Sequence, residues 1–162
     1  MPPKRDPLTY ALFLLSRRGR TKMEVHQKMM EKGYSEAEIQ TAITQLTEMR
    51  LLDDRTYAKN YVRDKIAIYR RGGFRIGLEL YKKGVSKEII DEALQEVAPE
   101  DELEAAKSLL KGRERQWQDL TERKRFERSV TLLQRRGFSG KIIRQAMDWI
   151  KEHFDTKNPT SS

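Results

Sequence analysis

Side chains able to react are few in this chain of 162 residues, and their spacing does not build an active site. There is no cysteine, so neither a thiolate metal site nor a disulfide framework is possible. The two histidines, His26 and His153, lie far apart in the sequence, and no Ser–His–acid arrangement accompanies either. His26 is predicted to be a helix-face residue. The sequence therefore predicts no catalytic residue and a protein that is not an enzyme.

The adjacent carboxylates of Asp53 and Asp54 raise the possibility of a metal site. Neighbouring side chains point in different directions, however, and no cluster of further acids or histidines stands at ligand spacing. Both are instead predicted to stabilise the start of a helix, one of them as its cap. The stretch "RRGGFRIG" at 70–77 lacks the spacing of a phosphate-binding Walker loop. We therefore expect neither a metal nor a cofactor.

The distribution of charge says more about function than the candidate catalytic or metal-binding residues do. The net charge is +8, and a protein this basic is drawn to polyanions such as nucleic acid or an acidic protein surface. Basic side chains concentrate in 63–83 and 111–144, whereas 86–104 is acidic. The candidate contacts to phosphate or to an acidic surface are Arg63, Arg70, Arg71, Arg75, Lys82, Lys83, Arg123, Lys124, Arg125 and Arg128.

Within the first basic stretch, Arg70, Arg71 and Arg75 are predicted to be exposed at a joint between two helices. Phe74 beside them could stack on a base, whereas Tyr61 and Tyr81 are predicted to be core residues.

The helices that must position these charges are predicted by a sequence that recurs three times in similar form. It reads "KGYSEAEIQTAI" at 32–43, "KGVSKEIIDEAL" at 83–94 and "RGFSGKIIRQAM" at 136–147. Each glycine is predicted to end a helix in the left-handed conformation, and the serine two positions later to cap the next helix. The glycines are Gly33, Gly84 and Gly137, and the serines are Ser35, Ser86 and Ser139.

A further helix is predicted to open each copy, beginning near Asp6, Asp53 and Pro99. In the first of these helices Leu8, Ala11, Leu12 and Leu15 form the apolar stripe. In the third copy, Ser129 takes the place of Val25 and Ile76.

The chain is thus predicted to be all-α, an elongated, curved array of three tandem three-helix repeats with helix-turn-helix-like units. The expected boundaries are 6–52, 53–98 and 99–154, with disordered tails at 1–5 and 155–162. We expect no signal peptide and no membrane span.

Two stretches carry a resemblance to a known family. "RLLDDRTYAKNYVRDK" at 50–65 and "GGFRIGLELYKKGVSKEIIDEAL" at 72–94 resemble the central signature of the RecX regulators, and the likeness extends over about residues 8–150. It implies an array of three-helix repeats, a cytoplasmic location and no cofactor. It also implies binding to RecA–DNA filaments and restraint of recombinase activity. The basic residues named above then become candidate contacts to the filament, to DNA phosphates or to both, in a protein that we expect to act as a monomer.

Two other functions remain open. Three short helices with a glycine turn could form a DNA-reading helix-turn-helix, in a transcription regulator or DNA-binding module without a recombinase partner. In the first two copies, the helices that would enter the groove begin "SEAEIQ" and "SKEIIDE", and their acidic side chains would be repelled by DNA phosphates. Only the corresponding helix of the third copy, with Lys141 and Arg144, suits DNA. The third possibility is an inert scaffold whose charge serves solubility.

Overall fold

The computed structural model describes residues 4–155, the side chains as far as His153, and in that part of the chain the regular structure is entirely helical. The expected all-α fold of three-helix repeats is confirmed. The helices are α1 (Pro7–Arg17), α2 (Lys22–Glu31), α3 (Glu36–Glu48), α4 (Asp54–Ala67), α5 (Gly73–Lys82), α6 (Lys87–Gln95), α7 (Pro99–Lys111), α8 (Glu122–Arg135) and α9 (Gly140–Asp155).

Side-chain caps begin most of these helices because the first backbone N–H groups of a helix have no partner within it. Asp6 caps α1, and Ser35 caps α3 in a reciprocal capping box with Glu38. The predicted caps at the other two serines are also present: Ser86 Oγ accepts from the N–H of Ile89 at 3.4 Å, and Ser139 Oγ from the N–H of Ile142 at 3.3 Å. Two caps that the sequence analysis missed belong to threonines, Thr21 before α2 and Thr121 before α8.

Three glycine turns end α2, α5 and α8 in the same way. Gly33, Gly84 and Gly137 have φ angles of +88°, +82° and +86°, the left-handed conformation that the sequence predicts. In each turn the glycine N–H and the next N–H donate back to carbonyls three and five residues earlier, which is a Schellman motif. The residue after each glycine is buried against the helix that has just ended; these residues are Tyr34, Val85 and Phe138.

The residues pack into two compact units, which are described separately. Unit 1 consists of the described part of Met1–Asn60 together with Glu79–Ala93. Unit 2 consists of Tyr61–Leu78 together with the described part of Leu94–Ser162. Helices α4, α5 and α6 therefore contribute residues to both units. The repeat boundaries at 52/53 and 98/99 stay a prediction. The tails predicted to be disordered lie, apart from residues 4, 5 and 155, outside the described residues.

Unit 1 buries a core between α1, α2 and α3. Its fully buried members include Val25, Met29 and Ile39. The predicted stripe of α1 contacts this core, with Ala11 buried and Leu8, Leu12 and Leu15 partly buried, but it omits Leu14, which is also buried. Helix α1 is apolar on most of its surface, so its periodicity does not select one face. The N-terminal segment also contacts this core, because the Tyr34 hydroxyl donates to the Arg5 carbonyl at 2.7 Å.

Unit 2 packs α9 against α7 and α8. Its core includes Leu109 and Leu110 of α7, Leu133 of α8, and Ile142, Ile143 and Met147 of α9. Trp117, which lies in a polar stretch of the sequence, is also buried there. Ser129 is buried as well, and its hydroxyl has no hydrogen-bond partner among the described residues. Its counterparts in the other repeats, Val25 and Ile76, are fully buried apolar residues.

Replacement of Ser129 by alanine is therefore expected to stabilise the protein. A buried hydroxyl without a partner loses its hydration, so its removal should raise the free energy of unfolding by roughly 1–2 kcal/mol. Urea titrations of the wild type and the variant measure the change. Ser16→Ala is the control, because the Ser16 hydroxyl is exposed and donates to the Phe13 carbonyl. A gain for Ser129→Ala no larger than that for Ser16→Ala would contradict the prediction.

Candidate interface for an anionic partner

The start of α5 is held in place by the turn that ends α8, and this joint positions the first predicted basic cluster. The Gly72 N–H donates to the Arg136 carbonyl at 2.7 Å, and the Phe74 N–H donates to the Gly137 carbonyl at 3.1 Å. From α7, Glu102 Oε1 accepts from the Gly73 N–H at 2.8 Å. The first N–H groups of α5 are thus satisfied by a neighbouring repeat, as buried donors require.

A similar joint lies in unit 1, at the start of α2. Here the Thr21 hydroxyl donates to the Lys83 carbonyl at 2.6 Å, and Asp54 Oδ1 accepts from the Lys22 N–H at 2.9 Å. Burial raises the pKa of the Asp54 carboxyl, although the Lys22 N–H opposes the shift. Asp54 therefore ties α4 to α2, a role that the sequence analysis did not foresee. Asp53 is the local cap that was expected, accepting from the N–H of Arg55 at 2.9 Å.

Of the three arginines at the joint in unit 2, two are exposed and one is not. Arg70 stands in solvent at a φ of +50°, and Arg75 is exposed in the first turn of α5. Arg71 is half-buried, with its guanidinium carbon 5.6 Å from the centre of the Tyr69 ring. The expectation that all three are exposed is wrong for Arg71, because the chain turns back after α4 and folds this side chain over Tyr69.

The same segment exposes large apolar side chains. Phe74 is 74% exposed and Leu78 is 55% exposed; they lie four residues apart in α5 and hence on one face. Ile68 and Tyr69, which precede α5, are also exposed. We refer to the exposed side chains between positions 68 and 78, namely Ile68, Tyr69, Arg70, Phe74, Arg75 and Leu78, as the joint surface.

The prediction that Tyr81 belongs to the core is wrong, since it is 69% exposed in unit 1; Tyr61 is half-buried. A sequence signal for such exposure exists in α5. This helix carries apolar residues on the buried face of Ile76 and Leu80 and also on a second face, and a single core contact cannot cover both.

The remaining predicted contacts of the first basic stretch differ in how accessible they are. Lys82 is exposed in unit 1. Lys83 is half-buried, and its Nζ lies 3.2 Å from Glu24 Oε1, so this ammonium stabilises the joint in unit 1. Arg63 is exposed in unit 2, with its Nε 3.2 Å from Asp64 Oδ1.

The second basic cluster lies in the first half of α8. Arg123, Lys124 and Arg128 are exposed, and Arg125 is half-buried. Arg128 precedes Arg136 by two turns, about 12 Å along a helix axis. Arg136 is the residue that reaches the joint, where its Nη1 donates to the Tyr69 carbonyl at 3.2 Å. The structure thus brings Arg136, which was not among the predicted site residues, to the joint surface.

Both histidines are engaged locally. His26 Nε2 lies 2.8 Å from Glu36 Oε2 in unit 1, and the His153 ring stacks on Trp149 at 4.8 Å in unit 2. Hydrogen bonds from Gln40 and then from His26 lower the pKa of the Glu36 carboxyl. Across the described residues, no three side chains of the metal-ligating types converge, and no helix there is long and apolar enough to cross a membrane.

The repeated glycine turns and the joints between successive triplets define a helical-repeat protein built from helix-turn-helix-type units. Two family models match its sequence: "RecX, first three-helix domain" over residues 8–46 and "RecX, second three-helix domain" over 53–94. The chain belongs to the RecX family of regulatory proteins.

Individual relatives agree with this assignment. The chain is 38% identical to a regulatory protein RecX of Vibrio parahaemolyticus over 145 residues, which cover 88% of this chain and 90% of that protein. It is 32% identical to the RecX of Bacillus cytotoxicus, of whose longer chain it spans 54%. The crystal structure of RecX from Lactobacillus salivarius superimposes with a TM-score of 0.83 at 27% identity, covering 90% of this chain and 94% of that one.

Proposed function

We propose that this protein binds RecA filaments on DNA and restrains recombinase activity in repair and recombination, without catalysing a reaction of its own. It acts in the cytoplasm as a monomer that touches the recombinase and DNA phosphates together. Successive repeats contact neighbouring recombinase subunits, which restricts the movements needed for ATP turnover, strand exchange and filament growth.

The joint surface is the observation that carries this proposal. Apolar side chains as exposed as Phe74 and Leu78 are costly in water, and an exposed apolar patch beside arginines is typical of a protein interface. Arg70 and Arg75 suit an acidic protein surface or phosphate, since the guanidinium offers a planar set of donors to either. A purely electrostatic DNA binder needs the arginines but gains little from the apolar residues.

A DNA-binding module without a recombinase partner is supported by one observation, the absence of acids in the first turn of α9. Exposed acids occupy the first turns of α3 and α6, where Glu36, Glu38 and Glu88 would face phosphate. Two of three potential recognition helices are therefore unsuited to the major groove, which favours the filament as the partner.

Co-sedimentation tests the proposal directly. The protein is incubated with RecA filaments on single-stranded DNA, with the same DNA alone and with RecA alone, and the ATP turnover of the filaments is measured in parallel. We expect tighter association with the filament than with bare DNA, together with lower turnover. Equal affinity for bare DNA, with unchanged turnover, would favour the DNA-binding module.

Arg70→Gly is expected to weaken filament binding without destabilising the fold. Arg70 has a left-handed backbone, which costs a residue other than glycine roughly 1–2 kcal/mol, so glycine relieves strain while it removes the guanidinium. The thermal midpoint should be unchanged or slightly higher. Loss of one charged contact should weaken binding about tenfold.

Arg50→Gly is the matched control, because Arg50 is also an exposed arginine with a left-handed backbone, at a φ of +58° in unit 1. The two variants carry the same net charge. Equal loss of filament binding in both would mean that overall charge, and not the joint surface, governs the association.

A further inference from the structure

A surface cavity lies in the third repeat, apart from the joint surface. The turns that follow α7 and one side of α8 line an open depression with a volume of about 460 Å³ within unit 2. Its walls are formed by Arg113, Gln116, Trp117, Glu127, Arg128, Thr131, Leu132 and Arg135. Arg113 and Arg135 were not among the predicted site residues, and of the predicted cluster in α8 only Arg128 lines this cavity.

Three guanidinium groups dominate the electrostatics of the cavity. Arg128 and Arg135 are two turns apart in α8 and so lie on one face, and both are exposed. Neither forms an ion pair within the described part of the chain. Arg113 comes from the turns that follow α7, where its Nη1 donates to Gln116 Oε1 at 2.9 Å. The single acid of the lining, Glu127, is paired with Arg123 at 3.1 Å, which reduces its repulsion of an anion.

The neutral part of the lining limits what the cavity can recognise. Trp117 is only 9% exposed, so its ring is already packed and leaves little surface on which a base could stack. Thr131 and Gln116 add neutral polar groups to the wall. An uncharged apolar ligand would leave the arginines desolvated and unpaired, which is unfavourable. A small multivalent oxyanion matches both the charge and the polar wall.

We propose that this cavity binds a phosphoryl group, held between Arg113, Arg128 and Arg135. Guanidinium groups bind phosphate oxygens through paired, charge-assisted hydrogen bonds, and three of them suit a group with several anionic oxygens. The group is supplied by a nucleic-acid backbone or by a free polyphosphate. The site deepens the proposed function by giving the third repeat a phosphate contact, but its test requires no recombinase.

Trp117 supplies the readout. Trp149 is the other tryptophan, so Trp149→Phe leaves Trp117 as the sole reporter, adjacent to the proposed ligand. The full chain with this change is titrated with inorganic pyrophosphate and, separately, with a single-stranded oligodeoxynucleotide, both at constant ionic strength. We expect a saturable change in Trp117 emission in the pyrophosphate titration.

Arg128→Gln combined with Arg135→Gln should weaken pyrophosphate binding at least about tenfold, because two charged hydrogen-bonding groups are lost. Lys111→Gln combined with Lys151→Gln is the control; it removes the same charge from exposed residues of unit 2 that lie outside the cavity and outside the predicted contacts. Circular dichroism and the thermal midpoint verify that both variants are folded.

Competition between pyrophosphate and the oligonucleotide then identifies which molecule supplies the phosphoryl group. Displacement of pyrophosphate by the oligonucleotide supports the site and assigns it to the nucleic-acid backbone. Binding of pyrophosphate without competition supports the site and assigns it to a free polyphosphate. No saturable signal with pyrophosphate, or equal losses in the two double variants, would overturn the proposal, whatever the outcome of the RecA experiments.

Discussion

Replacement of Gly137 by alanine is expected to lower the free energy of unfolding by roughly 2–5 kcal/mol, the sum of a strained backbone and an overpacked contact. The backbone of Gly137 is left-handed, and a Cβ placed there would lie 2.5 Å from both the backbone nitrogen and the Cβ of Arg75. Because one of these atoms belongs to the backbone of α5, it cannot move aside without disturbing the joint in unit 2. Chemical unfolding monitored by circular dichroism measures the loss.

Gly33→Ala is the matched comparison. Gly33 ends α2 with the same backbone conformation, but the nearest atom to a Cβ there is Lys4 Nζ at 3.9 Å. Only the conformational cost of roughly 1–2 kcal/mol should remain. Gly84→Ala should approach the loss at Gly137, because its added Cβ would lie 2.4 Å from Met23 Cβ, an atom that is fixed to the backbone of α2. Equal losses at Gly33 and Gly137 would show that the close contact with α5 adds nothing to the stability.

Phe74→Ala combined with Leu78→Ala is expected to weaken filament binding by about 30-fold or more, since an exposed aromatic anchor that becomes buried at an interface contributes about 2 kcal/mol or more. The fold should be unaffected, because both side chains are exposed and alanine is a good helix former. Binding to RecA filaments and binding to bare single-stranded DNA are compared for the wild type and the variant. Affinity for bare DNA should stay within about twofold of the wild type, because both arginines of the joint surface remain.

Met30→Ala is the control for this variant. Met30 is likewise an exposed apolar residue of a helix, but it lies in α2 of unit 1, outside the joint surface. Its replacement should leave filament binding unchanged. If the double variant retains wild-type affinity for the filament while melting normally, the exposed face of α5 is not the contact with the recombinase.

Much of the local structure was predictable from residue types and spacing alone. A glycine followed two positions later by serine stops one helix and caps the next, and all three glycines and all three serines do so here. The hydrogen bonds involved span at most five residues, so no knowledge of the fold was needed to expect them.

The candidate site was less predictable. The sequence indicated which stretches are basic, but not which of their side chains are exposed to solvent. Lys83 forms an ion pair with Glu24, and the Arg71 guanidinium packs over the Tyr69 ring. Arg70 and Arg75, by contrast, are exposed. Tyr81 was predicted to be a core residue, yet it lies in solvent.

The amino-acid sequence by itself thus determined the helical repeats, their glycine turns and serine caps, and the excess of positive charge. These follow from backbone conformation, local hydrogen bonding and composition. Only the tertiary structure decided that Asp54 holds the start of α2, that Arg136 reaches the joint of unit 2, and that Arg113 joins Arg128 and Arg135 around one cavity. Each of these contacts joins elements separated along the chain, by 67 residues for Arg136 and Tyr69. Such contacts depend on how one repeat packs on the next, which no local pattern encodes.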